Sequence, residues 1–132
     1  MKGTGTYPTD WPQIAKAIKD AADWRCVRCG HPNDRPSGHV LTIHHLTGEK
    51  DNGAWWNLAP LCQRCHLQIQ GRLKMDRPWI FEHSAWFQPY VAGFYAKKYL
   101  GLDLTRPEVE ARLDELLSLE AMATIGREPL AI

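Results

Sequence analysis

The chain has 132 residues, of which 44% are hydrophobic and 23% are charged, and its net charge is +1. This length suits one domain over residues 1–132, and the composition is ordinary for a soluble globular protein. No apolar run reaches the roughly eighteen residues that a membrane span needs, and residues 1–10 lack the apolar segment of a secretory signal. We therefore expect a cytoplasmic protein that makes no contact with a membrane.

The charges are distributed unevenly along the chain. Residues 1–77 contain eleven Lys and Arg against seven Asp and Glu, a net charge of +4, whereas residues 78–132 contain five against eight, a net charge of −3. A modestly basic first part is compatible with a phosphate-bearing partner, but it does not require one.

The first predicted element is a helix over about residues 10–22. Asp10 is expected to cap it, Pro12 suits its first turn, and Gln13 completes an acidic form of the capping box. An apolar stripe at helical spacing follows, formed by Ile14, Ala17, Ile18 and Ala21. This pattern is typical of a packing helix.

All four cysteines lie in two Cys-x-x-Cys pairs, Cys26 with Cys29 and Cys62 with Cys65. In a reducing cytosol such pairs indicate a metal site before a disulfide, and four thiolates complete a tetrahedral zinc site. A redox dithiol and unliganded core cysteines are the alternatives. Gly30 permits the positive φ that a tight zinc knuckle often needs. The 32 residues between the pairs exceed the commonest zinc-ribbon spacing, so a folded element is expected there.

Between the cysteine pairs the sequence predicts a strand, a loop and a second strand, and a helix follows. Residues 40–46 are β-branched and apolar, and residues 47–56 carry turn formers and charges. Residues 56–62 form a second extended stretch, in which Pro60 is expected to limit pairing. Helical spacing then extends from Gln63 to about Lys74.

Residues 78–126 are expected to form a helical C-terminal extension. The aromatic-rich stretch 79–101 is predicted to be helical in two pieces, broken near Pro89. Thr105 and Glu108 predict a capping box for one final helix. The apolar stripe of that helix consists of Val109, Leu113, Leu116 and Leu117. The sequence does not distinguish three roles for this half. They are setting specificity, self-association and docking of a protein partner.

His66 directly follows Cys65, although the four thiolates already complete a zinc site. Neighbouring helical residues differ by about 100° around the axis, so His66 points elsewhere if Cys65 points at the zinc. His44 and His45 end the first strand, where adjacent residues face opposite sides, so one can meet His66 while the other stays free. Two converging imidazoles suit a divalent transition metal, and a third suits a general base. Phosphodiester hydrolysis uses both groups.

Together, Cys26-x-x-Cys29, His44-His45, Asn57-Leu58 and Cys62-x-x-Cys65-His66 resemble the HNH endonuclease family, over about residues 24–75. The resemblance implies an α+β fold with a ββα-metal core over about residues 24–77, flanked by the N-terminal helix and the C-terminal helices. It also implies a structural zinc on the cysteine pairs, one catalytic divalent ion, and hydrolysis of DNA, with double-stranded DNA as the expected partner.

Position by position, the resemblance implies that His45 is the general base and that His44 and His66 bind the catalytic ion. Asn57 would brace the hairpin loop and hold the base in place. Many family members have Asp at the position of His44, which favours Mg²⁺, whereas His shifts the preference towards Mn²⁺, Zn²⁺ or Ni²⁺. Members with a third helical ligand have His where Gln70 stands, so Gln70 is a weak ligand candidate and water is the alternative.

Basic side chains near these motifs are candidates for phosphate contacts that position a duplex without reading its sequence. They are Arg28, Arg64, Arg72, Lys74 and Arg77. Trp55 and Trp56 are candidates for stacking on bases, although at least one of them is expected to cover the hairpin core.

Three functions therefore stay open. The leading hypothesis is a metal-dependent HNH endonuclease, which requires His45 and a second metal. The second is a non-catalytic, zinc-bearing nucleic-acid-binding module of the same fold, which requires only the cysteines. The third is a redox or metal-storage protein, which requires reactive thiols.

Overall fold

The computed structural model describes residues 5–69 and 84–122. The chain forms two compact units, Met1–Phe81 and Glu82–Ile132, and each is described by itself. One domain over residues 1–132 stays a prediction. Within the described residues, no helix is both long and apolar enough to cross a membrane.

The described residues of the first unit form a small antiparallel sheet, two α-helices and a short 3-10 helix. Its elements are α1 (Trp11–Ala21), β1 (Leu41–His45), a 3-10 helix (Trp55–Asn57), β2 (Leu58–Cys62) and α2 (Gln63–Ile69). The strands pair from Leu41 opposite Cys62 to His45 opposite Leu58. This order of strand, strand and helix confirms the predicted α+β fold with a ββα-metal core. The part of the predicted second helix that follows Ile69 lies outside the described residues.

α1 lies within the predicted bounds, but its N-terminus is not capped as expected. Asp10 occupies the N-cap position without a side-chain capping hydrogen bond, so the predicted capping box is wrong. The physical reason is local, because the φ of −95° and ψ of 20° at Asp10 depart from the extended conformation of a capping residue. The backbone carbonyl of Asp10 instead accepts from the N–H groups of Gln13 and Ile14, each at 3.1 Å.

β2 is buried along its whole length, and its proline does not shorten the pairing. Pro60 lies opposite Ile43 inside the ladder, so the expected limit on pairing is not observed. Both strands of a two-stranded sheet are edges, where a proline is tolerated. The carbonyl of Pro60 accepts from the N–H of Val27 at 3.0 Å. This bond ties the first cysteine pair to the sheet.

The second unit is helical, with α3 at Gln88–Leu100, α4 at Arg106–Ala111 and α5 at Leu113–Leu117. Pro89 stands in the first turn of α3, and residues 84–87 before it are not helical, so a helical segment begins near Pro89 in agreement with the predicted break. The first predicted helical piece falls mainly on residues 79–83, which lie outside the described residues.

α4 and α5 both pack against α3. The predicted capping box is present, because the Thr105 side chain accepts from the backbone N–H of Glu108 while the Glu108 carboxylate accepts from the N–H of Thr105. The prediction of one final helix is wrong, since Arg112, with a φ of −125°, separates α4 from α5. Val109 and Leu116, from the predicted stripe, are fully buried.

Candidate metal centres and active site

Four thiols of the first unit converge at one point. The Sγ atoms of Cys26, Cys29, Cys62 and Cys65 all lie within 4.8 Å of one another, and those of Cys29 and Cys62 are 3.8 Å apart. In a tetrahedral zinc site with Zn–S bonds of about 2.3 Å, the sulfur atoms lie about 3.8 Å apart. The four cysteines can therefore hold a zinc ion, as the sequence predicts.

The two cysteine pairs have the same local geometry. The Sγ of Cys26 accepts a hydrogen bond from the N–H of Cys29, and the Sγ of Cys62 accepts one from Cys65, both at 3.4 Å. Gly30 follows the first pair with a φ of 77°, the left-handed conformation that the sequence predicts. Such N–H donors stabilise the thiolate, which is the form of cysteine that binds a metal.

The thiols differ in acidity. Burial acts to raise the pKa of Cys26, but backbone hydrogen bonds from Cys29, Cys62 and Arg28 outweigh it and lower that pKa to about 7. Burial raises the pKa of Cys65 to about 12, and the hydrogen bond with Cys62 adds to the effect. Binding of a cation by the four thiolates would therefore release protons near neutral pH.

His44 and His66 meet across β1 and α2. Nδ1 of His44 lies 3.0 Å from Nε2 of His66, and the ring centroids are 4.8 Å apart with an interplanar angle of 71°. The 3.0 Å separation of the nitrogens is a hydrogen-bond distance between the two rings. Two imidazoles that converge from different elements could hold one divalent ion. Of the two strand histidines, His44 is the one that faces His66.

Thr42 determines which nitrogen of His66 carries the proton. The Thr42 hydroxyl donates to the carbonyl of Leu61 at 2.7 Å, so its oxygen accepts from Nδ1 of His66 at 2.9 Å. This network assigns the Nδ1–H tautomer to His66 and leaves its Nε2 lone pair directed at His44. Burial also lowers the pKa of His66, which favours the neutral, metal-binding form.

His45 lies on the opposite face of β1 from His44. Its ring centroid is 5.0 Å from that of Trp11 and 5.6 Å from that of Tyr7. Burial lowers the pKa of His45, and the positive charge of Lys50 lowers it further. Within the described part of the chain, its buried Nε2 has no hydrogen-bond partner. The neutral ring is the form that can accept a proton.

Asn57 is fully buried where the 3-10 helix meets β2. Its Oδ1 accepts from the N–H of Thr47 at 2.7 Å, and its Nδ2 donates to the carbonyls of Asn52 at 2.9 Å and Glu49 at 3.2 Å. Its own carbonyl accepts from the N–H of Leu46 at 2.8 Å. One residue therefore holds together the loop that joins β1 to β2.

Of the predicted phosphate-binding residues, Arg28 and Arg64 are exposed on the first unit. Arg28 donates through Nη1 to the side chain of Gln68 on α2, at 2.5 Å. The other candidates lie outside the described residues, and they are Arg72, Lys74, Arg77 and the weak ligand candidate Gln70.

The two tryptophans before Asn57 are not equivalent. Trp56 is buried, with 7% of its surface exposed, whereas Trp55 is half-buried. This agrees with the expectation that at least one of them covers the hairpin core, and it leaves Trp55 as the candidate for stacking.

Three residues beside the histidines were not singled out in the sequence. Thr42 precedes His44 by two positions, so strand alternation places both side chains on one face, a signal that could have found it. Tyr7 and Trp11 lie far from the motifs along the chain, and only folding brings them to His45.

These features are those of a ββα-metal unit whose four cysteines could hold a zinc ion. Residues 26–72 match the model of the family described as HNH endonuclease. The matched segment contains both cysteine pairs and the three histidines of the site. Over residues 26–72 the chain is therefore similar to the HNH endonuclease family.

The chain is similar to Zorya protein ZorE of Escherichia coli, to which it is 32% identical over 65 residues. The match covers 49% of this chain and 17% of that protein, so the chain spans about one sixth of the relative's length. No solved structure matches the chain.

Proposed function

We propose that the protein is a metal-dependent endonuclease that hydrolyses phosphodiester bonds of DNA, with duplex DNA as the substrate. The observation that carries the proposal is that the two strand histidines point to opposite faces of β1. His44 faces His66 at 3.0 Å, whereas His45 contacts the ring of Trp11 on the other side of the strand. A paired set of ligands and a separate base are the groups that this hydrolysis needs. The family match of residues 26–72 supports the same reaction class.

His44 and His66 would hold the divalent ion, and Thr42 would keep the Nε2 lone pair of His66 directed at it. The bound ion would supply charge stabilisation at the phosphate and at the leaving oxygen. Two imidazole nitrogens favour Mn²⁺, Ni²⁺ or Zn²⁺, because Mg²⁺ prefers oxygen ligands.

His45 would accept the proton of the attacking water. In-line displacement places the nucleophile and the leaving oxygen on opposite sides of phosphorus. A base on one face of β1 and metal ligands on the other suit that requirement. Asn57 would hold the loop that leaves the end of β1, and so keep the base in place.

The cysteine cluster would support the site without taking part in the chemistry. Cys62 ends β2 and Cys65 lies in α2, so a zinc ion on these residues would fix the helix that carries His66 relative to the strand. The bond between Val27 and Pro60 joins the other cysteine pair to the same strand.

Arg28 and Arg64 are the proposed phosphate contacts within the described residues, and Arg72 and Lys74 are proposed from the sequence alone. Phosphate contacts of this kind would orient the duplex and would not read its sequence. The net charge of +4 over residues 1–77 supports such binding.

The test is cleavage of plasmid DNA by purified, zinc-loaded protein. The reaction is run with added Mn²⁺, Ni²⁺ or Mg²⁺, and again after a brief incubation of the protein with EDTA. We expect cleavage that depends on added metal. His45→Ala should lower the single-turnover rate by roughly 10²–10⁴-fold, the contribution of a positioned general base. His66→Ala should weaken the affinity for added metal, so raised Mn²⁺ should partly restore its cleavage.

Both variants should keep the zinc content and melting temperature of the wild type, which serve as the controls. Added metal should not rescue His45→Ala, because its missing function is proton removal. Wild-type protein that binds DNA but never cleaves it would indicate a non-catalytic binding module instead. Wild-type cleavage by His45→Ala would show that the proposed roles are wrong.

A further inference from the structure

Two aromatic residues from the N-terminal segment lie against the proposed base. The ring planes of Trp11 and His45 meet at 34° with centroids 5.0 Å apart, and those of Tyr7 and His45 meet at 62° with centroids 5.6 Å apart. Tyr7 and Trp11 also contact each other, at 5.0 Å. All three separations fall within the range of about 4.5–7 Å for interacting rings. The three rings therefore form one cluster.

The segment that carries these rings is held against the loop after β1. Gly5 has a φ of 79°, and a Cβ there would lie 2.8 Å from Oδ1 of Asp51. The backbone at residue 5 thus lies against the Asp51 side chain, and its positive φ favours glycine. Further along, Nζ of Lys50 lies 5.3 Å from the ring centroid of Tyr7, a cation–π distance. The chain between Gly5 and α1 is therefore packed along the loop.

The His45 ring needs this kind of support. Within the described residues its buried Nε2 has no hydrogen-bond partner, so no hydrogen bond at that atom fixes the ring. The rotation of an imidazole about its second side-chain torsion is broad unless neighbours restrict it. A general base must lie within hydrogen-bond reach of its proton, and a misplacement of about 1 Å can cost roughly 10²-fold in rate.

We infer that Trp11 and Tyr7 are positioning residues that hold the His45 ring in the orientation needed for proton removal. The inference rests on the proposed function, since it concerns the residue proposed as the base. Both aromatic residues lie outside residues 26–72, the segment that matches the family. The positioning device therefore belongs to the N-terminal segment of this chain.

The test compares Trp11→Ala with Trp11→Phe, which keeps a ring, in zinc-loaded protein. Trp11→Ala should lower kcat by about 10–100-fold and leave KM within about twofold, since a misplaced base slows chemistry and not binding. Trp11→Phe should recover most of the lost rate. Tyr7 is half-exposed and lies outside the helices, so Tyr7→Ala provides a second variant that should fold and should lower kcat in the same direction.

Trp24→Ala is the matched control, because this exposed indole of the same unit donates to Asp20 and is not part of the ring cluster. It should cleave at the wild-type rate with unchanged zinc content. The affinity for Mn²⁺, measured by calorimetry, should be the same in Trp11→Ala and the wild type, because the ligands lie on the other face of β1. The His45 ring signals in NMR spectra should shift in Trp11→Ala and not in Trp24→Ala.

Wild-type or faster cleavage by Trp11→Ala would overturn the inference, and so would a Trp11→Phe variant as slow as Trp11→Ala. His45→Ala, assayed alongside, separates the two proposals. If His45→Ala alone loses cleavage, the positioning role fails and the proposed function stands. If His45→Ala retains wild-type cleavage, the proposed function fails and the inference falls with it.

Discussion

Thr42 Oγ1 lies 2.9 Å from Nδ1 of His66 while it donates its only proton to the carbonyl of Leu61. The histidine must therefore donate through Nδ1, which leaves Nε2 free to face His44. Thr42 and His44 share one face of β1, two residues apart. The same strand face thus supplies one proposed ligand and orients the other.

Replacing Thr42 with Val removes the hydroxyl and keeps the branched shape. We expect the affinity for Mn²⁺ to fall by about 10–100-fold, the usual effect of removing a residue that orients a ligand. Thr42→Ser, which retains the hydroxyl, should bind Mn²⁺ as the wild type does. Calorimetric titration of zinc-loaded protein measures both values, and equal affinities for Thr42→Val and the wild type would contradict the assignment.

Removing one thiol should have a much larger effect on the fold. Structural zinc contributes roughly 10–16 kcal/mol in small peptides, which is comparable with the roughly 5–15 kcal/mol stability of a whole protein. Cys65→Ser is therefore expected to lose zinc and to unfold the first unit, and Cys29→Ser should do the same. Zinc analysis and thermal unfolding measure the result. A zinc-free Cys65→Ser protein with the wild-type melting temperature would refute the four-cysteine site.

Much of the site could be predicted because its signals are local. Strand alternation requires His44 and His45 to face opposite sides, and the spacing of the cysteine pairs predicts that their thiols converge. The structure adds which histidine faces His66. The packing of Trp11 against His45 could not be predicted. It depends on how α1 packs against the rest of the first unit, and the periodic pattern of apolar residues in α1 does not specify that arrangement.

Local patterns also failed where backbone angles decide the outcome. Asp10 is a favoured capping residue by type, but at the φ and ψ that it adopts its carboxylate accepts no capping hydrogen bond. Residues 113–117 were expected to continue the helix that begins at Arg106, but Arg112, with a φ of −125°, ends α4 and α5 begins after it.

The aromatic composition of the second unit has a simple structural explanation. Phe87, Tyr90 and Tyr95 are all buried, with at most 2% of their surface exposed. Composition alone cannot separate such a core from a partner-binding surface. Self-association and a protein partner stay predictions.

Asn57 offers a direct test of the loop that joins the strands. Asn57→Ala would leave the N–H of Thr47 and the carbonyls of Glu49 and Asn52 without their present partner. Because each buried polar group left unsatisfied costs about 1–3 kcal/mol, we expect a loss of roughly 2–4 kcal/mol in the free energy of unfolding. Denaturant unfolding measures it. Wild-type stability of Asn57→Ala would show that the loop does not depend on this side chain.

The last prediction concerns DNA binding by Arg64, an exposed residue of α2. Arg64→Ala should weaken binding by a similar factor for unrelated duplexes, because a phosphate contact carries no sequence information. Each phosphate contact adds about 0.9 to the slope of log affinity against log salt, so the slope should become shallower by about that amount.

Arg28→Ala should have a smaller effect, since this guanidinium already donates to Gln68. Lys16→Ala, which removes an exposed cation of α1 that is paired with Asp20, is the control and should leave the slope unchanged. Fluorescence anisotropy at several salt concentrations, without added divalent metal, gives the slopes. If Arg64→Ala has the wild-type slope, Arg64 does not contact a phosphate.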